Sequence, residues 1–134
     1  MSSIILLSNT QGKFELTGEP WRVDQWLPHN GGWFTVSLTV DNFRGRVWLE
    51  ASLATNPTST DWFPVWLQSK QPYLDYPLNP QNQSGMMGGE SSTSAYRFQA
   101  NILWLRARLD RSHLMRPSIG LDTLGVIKQI TVSV

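Results

Sequence analysis

The chain has 134 residues, a length that fits one domain and lets roughly two-thirds of the unfolded surface be buried. Only 16% of residues are charged and the net charge is +1, so no global field draws the protein to nucleic acid or an anionic membrane. Cysteine is absent, which excludes disulfides and thiolate metal sites.

Two features of the composition point toward assembly. Seven residues are tryptophan, and arginine exceeds lysine. Arginine and tryptophan are enriched together at the buried centres of interfaces, which favours an assembly component over a freely diffusing enzyme. The opening "MSSIILLSNTQ" lacks a basic region, and its apolar run is too short for a signal peptide or a membrane span. A soluble chain without a cleavable signal is expected.

Alternation with period two dominates the chain, and no long helical pattern competes with it. Short strands are expected at 4–7, 14–16 and 21–26. In "WFTVSLTV", Phe34, Val36, Leu38 and Val40 share one face, while Thr35, Ser37 and Thr39 share the other. "DNFRG" then reads as a turn, with Asp41, Asn42 and Gly45 suited to unusual backbone angles. In "RVWLEASL", Val47, Leu49, Ala51 and Leu53 face inward, and Arg46, Trp48, Glu50 and Ser52 outward. The two segments read together as an antiparallel pair with one wet side.

"DWFPVWL" reads as a third strand, and Pro64 places it at an edge or a bulge. Asp61 is expected to cap the turn after "NPTST", with Trp62, Phe63 and Trp66 mostly buried. The segment 68–93 holds Pro72, Pro77, Pro80 and the run "QNQSGMMGGESS", so it reads as a long excursion with a short strand at 73–76.

Order returns at "SAYRFQANILWLRARLD". Tyr96, Phe98 and Ala100 share one parity; Leu103, Leu105, Ala107 and Leu109 share the other. The switch requires a bulge or bend between Gln99 and Ile102 as the strand passes from one sheet to another, with Tyr96, Phe98, Leu103 and Leu105 buried. "GVIKQITVSV" supplies a last strand with Ile130, Val132 and Val134 on one face. The sum is an all-β chain: one antiparallel β-sandwich over 1–134, jelly-roll-like, with about eight strands and an excursion at about 68–93.

Candidate chemistry is sparse. His29 in "PHNGG" and His113 in "RSHLMRP" fall in loops, with no clustered carboxylate to complete a metal site. Glu50 and Asp61 would serve as a glycosidase pair in principle, but any β protein offers such pairs. Gly85, Gly88 and Gly89 are not followed by the Lys-Ser/Thr of a phosphate loop. No nucleophile-elbow pattern occurs. Neither catalysis nor a metal or organic cofactor is expected.

Binding is a different matter. Trp104, Arg106 and Arg108 share the outward face of one strand, where arginine beside an aromatic ring suits either base stacking or ordinary cross-strand charge pairs. The charge-pair reading is preferred, and no nucleic acid is expected. Tyr73, Tyr76, Met86 and Met87 lie in the excursion, and this mixture of amphipathic and adaptable side chains suits a protein interface. Trp48, Trp66 and Trp104, if outward-facing and side by side, would instead stack sugars.

"GRVWLEASLATNPTSTDWFPVW", then "AYRFQANILWLRARLDRSHL" and a closing hydrophobic strand, resembles a module of structural proteins of tailed phages, especially cyanophages. The likeness covers roughly 45–134, leaves the excursion unmatched, and departs from the pattern at Ala100, where glycine is the usual residue. It implies a non-enzymatic virion part. The size suggests a capsid decoration (cement) protein that binds itself, a trimer favoured, and the shell protein. A tail, collar, baseplate or fibre module is the alternative in the same class, and a carbohydrate-binding module for host attachment is the alternative in another. The implied location is the virion, with no membrane contact.

Overall fold

The computed structural model describes residues 3–26, 31–78, 89–114 and 124–133. Among them are ten strands: β1 (Ser3–Ser8), β2 (Leu16–Thr17), β3 (Trp21–Arg22), β4 (Trp33–Phe43), β5 (Gly45–Ser52), β6 (Phe63–Pro64), β7 (Leu74–Tyr76), β8 (Glu90–Gln99), β9 (Trp104–Asp110) and β10 (Val126–Ser133). A 3-10 turn covers Asp24–Trp26. Two antiparallel sheets pack as a sandwich. One has the order β1-β10-β4-β8; the other runs β2-β9-β5-β6, with β3 also on β9 and β7 also on β5.

β2 and β3 lie one after the other along β9, and β6 and β7 do the same along β5. Ten strands thus fill eight positions, two of them shared by a pair of short strands. The all-β sandwich anticipated from the alternation is present, and most successive strands change sheet, as in a jelly roll.

The core forms where the two apolar faces meet. Phe34, Val36, Leu38 and Val40 of β4 are buried, as are Val47, Leu49 and Ala51 of β5 and Leu105, Ala107 and Leu109 of β9. Each large apolar side chain so buried contributes roughly 1.5–3 kcal/mol. Phe34 stacks on Phe98 across β4 and β8, with ring centres 5.3 Å apart. Phe43 meets Tyr76 edge-on at 5.4 Å.

Several local expectations are corrected. β4 and β5 do not pair: β4 bonds to β10 and β8, β5 to β9, β6 and β7. Each carries an apolar face that must be covered, and placing them in opposing sheets lets each cover the other. "DNFRG" is therefore a crossover between sheets. Asn42 has φ 50° and Gly45 φ 151°, and a Cβ on Gly45 would stand 2.9 Å from Arg111 Cγ. Only glycine satisfies both the angle and the approach.

Leu53 is 61% exposed because β5 ends at Ser52. β6 is only two residues long, although its position at the sheet edge agrees with Pro64. β7 lies where a short strand was expected within the excursion, but β8 begins at Glu90, so the excursion ends earlier than expected. The sheet switch after Gln99 is present, with β8 in one sheet and β9 in the other. Phe98 and Leu105 are buried there, but Tyr96 and Leu103 are only half-buried, and Ile102 takes the inward place instead. Val134 lies outside the described residues.

Candidate functional site: an arginine–aromatic face

The outer face of the six-stranded sheet concentrates the unusual composition. Period two turns Arg46, Trp48, Glu50 and Ser52 of β5 outward, and likewise Trp104, Arg106, Arg108 and Asp110 of β9. Antiparallel register then sets Arg46 opposite Asp110, Trp48 opposite Arg108, Glu50 opposite Arg106, and Ser52 opposite Trp104. Cross-strand neighbours of this kind are close enough to interact directly.

Glu50 anchors the centre of the face. It is only 8% exposed. Arg106 Nε donates to its Oε1 at 2.9 Å, and Arg108 Nη2 to its Oε2 at 3.3 Å. Asp110 accepts the Trp48 indole N–H at 3.0 Å and the Ser112 backbone N–H at 2.9 Å. Burial pushes the Asp110 carboxyl up, but these hydrogen bonds and the nearby Arg108 outweigh it and hold it below its ordinary value.

Aromatic rings cap the guanidiniums. Arg106 lies 4.2 Å from the Trp62 ring centre, Arg108 5.0 Å from Trp48, Arg46 4.3 Å from Tyr73, and Arg22 5.6 Å from Trp104. Trp48 and Tyr73 touch at 5.1 Å with their planes tilted by 46°. The result is a layered surface of carboxylate, guanidinium and ring, in which each arginine is already oriented.

The residues expected at an interface divide three ways. Tyr73, Trp104, Arg106 and Arg108 all lie half-buried on this face. The carboxylate pairing expected for the two arginines is present. Tyr76 is a correction: at 1% exposure it belongs to the core, because β7 pairs with β5 and turns Tyr76 inward against Phe43. Met86 and Met87 lie outside the described residues, as does His29.

The "DWFPVW" aromatics are less buried than expected. Trp62 is half-buried beneath Arg106, Phe63 is 40% exposed and Trp66 54% exposed. Phe63 shares the inward side with Ala51, but β6 is the sheet edge, where the opposing sheet no longer covers it. Asp61 does cap its turn, accepting the Thr58 backbone N–H at 2.7 Å and the Thr58 hydroxyl at 2.9 Å. These bonds hold its carboxyl below the ordinary range.

Period two in the sequence turns Arg46, Trp48 and Glu50 outward but does not join them to β9. The missing piece was register, since the same strands slipped by two residues would keep every face and exchange every partner. A depression of about 520 Å³, lined in part by Asn9, Asp41, Asn42 and Lys128, involves none of the arginine-face residues. Among the described residues no group of three or more metal-ligating side chains occurs. No family model, curated protein or solved structure matches the chain.

Proposed function

We propose that the protein is a non-enzymatic structural component of a tailed-phage virion, a capsid decoration protein that binds the shell protein and further copies of itself. The observation that supports this reading is the arginine–aromatic face, flanked at the β6 edge by the exposed rings of Phe63 and Trp66. Oriented arginines and large rings at a rigid sheet lose little side-chain entropy on docking, which is the economy seen at interface hot spots. The likeness of "GRVWLEASLATNPTSTDWFPVW" and "AYRFQANILWLRARLDRSHL" to phage structural modules supports the choice of particle.

The test is incorporation into particles by Phe63→Ala/Trp66→Ala protein. The expected result is an unchanged melting temperature with at least tenfold weaker incorporation. Normal incorporation would move the shell contact to another surface, and incorporation into tails but not heads would assign the protein to the tail. The carbohydrate-binding reading draws on the same two exposed rings. Saturable quenching of tryptophan fluorescence by glycans, with no affinity for particles, would establish it and remove the virion reading.

A further inference from the structure

A sandwich with open sheets has edges, and edges with unpaired backbone groups invite other strands. Three of the four positions here are interrupted. β1 shifts register between Ile5 and Leu7. The β2–β3 position breaks at "TGEPW", where Pro20 cannot donate to a ladder, and β6 carries Pro64. β8 is different. It runs ten residues without proline or lysine, its register with β4 is continuous from Gln99 to Ser92, and the one shift, before Glu90, puts the extra residue on β4 and not on β8. Among the described residues nothing pairs with its outer edge.

The exposed side chains of β8 are turned away from that edge. Ser91 Oγ accepts the Asn42 N–H at 2.9 Å and donates to Asp41 at 3.0 Å. The Thr93 hydroxyl meets that of Thr39 at 3.2 Å. Arg97 lies 4.5 Å from the Trp33 ring centre, and Gln99 Nε2 donates to the Gly31 carbonyl at 3.0 Å. All these partners lie on β4 or just before it. The side chains best able to shield the edge are held on the other side of the strand.

We propose that β8 pairs antiparallel with β8 of a second copy about a two-fold axis at Ser94, joining the two four-stranded sheets into one. Pairing about Ser94 sets Ser91 against Arg97, Ser92 against Tyr96, Thr93 against Ala95, and Glu90 against Phe98. No like charges face each other, and small residues occupy the centre. This self-complementarity is what favours a second copy over a foreign strand. An isologous contact closes at two copies, in place of the three-fold arrangement favoured from the sequence. The proposal gives a surface to the self-association within the function proposed above and rests on that reading only there.

The absence of cysteine makes the axis testable. Directly opposed Cα atoms of an antiparallel pair lie about 4.5–5.5 Å apart, within disulfide reach. Oxidised Ser94→Cys protein should run as a covalent dimer, and Ser37→Cys protein, altered in the middle of the sheet, as a monomer. Thr93→Lys/Ala95→Lys protein should keep its circular dichroism and raise the dimer dissociation constant at least tenfold in sedimentation equilibrium. A wild-type monomer at high micromolar concentration, or an oligomer indifferent to the lysine pair, would overturn the proposal. So would hydrogen-exchange protection of β8 that arises only on adding shell protein, which would assign the edge to a partner's strand. Self-association is read on purified protein and shell binding on particles, so either can fail without the other.

Discussion

The guanidinium of Arg111 lies 5.0 Å from the centre of the Phe43 ring, fully buried at 0% exposure. Its Nε donates to the Arg44 carbonyl at 2.9 Å, Nη1 to Lys13 at 2.8 Å, and Nη2 to Leu124 and Gly125 at 2.9 Å each. These carbonyls belong to the approach to β2, the β4–β5 crossover and the entry to β10. Burial pushes its pKa down to about 10, so it remains charged at neutral pH. A single cation thus ties three chain segments together through carbonyl dipoles, and among the described residues no carboxylate forms an ion pair with it.

Replacing Arg111 should therefore be costly. Arg111→Met should lower stability by roughly 3 kcal/mol or more, since each buried acceptor left unsatisfied costs about 1–3 kcal/mol. Arg111→Lys should recover little of this, because one ammonium cannot reach carbonyls spread around a planar fork. Urea unfolding midpoints test both, and full rescue by lysine would show that charge matters and geometry does not.

Glu50 is the shared acceptor for Arg106 and Arg108, so those pairings should be energetically coupled through it. Glu50→Ala should cost roughly 1–3 kcal/mol. In a double-mutant cycle, Glu50→Ala with Arg106→Ala should show a coupling of about 0.5–3 kcal/mol. Strict additivity would mean the 2.9 Å contact contributes nothing to folding.

Leu38 and Ser37 are adjacent on β4 but face opposite ways. Leu38→Ala should cost roughly 2–5 kcal/mol, as deletion of buried leucines does. Ser37→Ala should be nearly silent. Chemical denaturation distinguishes them, and equal effects would contradict the observed facing.

His113 should give the stability a measurable slope in pH. Burial first, and the charges of Arg46 and Arg44 second, hold its pKa below the ordinary 6.5, outweighing Asp75 and Asp110. Asp75 lies only 3.9 Å away but does not reverse the sign. As pH falls the unfolded chain binds the proton first, so stability is fully present above about pH 7 and declines through the ordinary value, about 6.5. The decline levels off below the depressed folded value. His113→Gln should remove this segment of the slope, as read from denaturation midpoints between pH 8 and 5.

Much of the fold was legible in the residues themselves. Phe34, Val36, Leu38 and Val40 are buried because period-two apolar residues on a strand share one face. Pro64 marks an edge because it cannot donate to a ladder on both sides. The parity change across Gln99–Ile102 marks the passage between sheets for the same reason of facing.

Only the tertiary structure decided which strands are neighbours. Backbone ladder bonds do not read side-chain identity, so "WFTVSLTV" and "RVWLEASL" looked like a hairpin while their apolar faces meet across the sandwich. The same applies to the site. Arg106, Arg108 and Arg111 are close in the chain, but two are half-buried over Glu50 while the third turns under the crossover after β9 ends at Asp110. Local sequence determines the face a residue takes within its strand. What covers that face depends on contacts between distant segments, such as Arg111 with Lys13, and no local pattern encodes them.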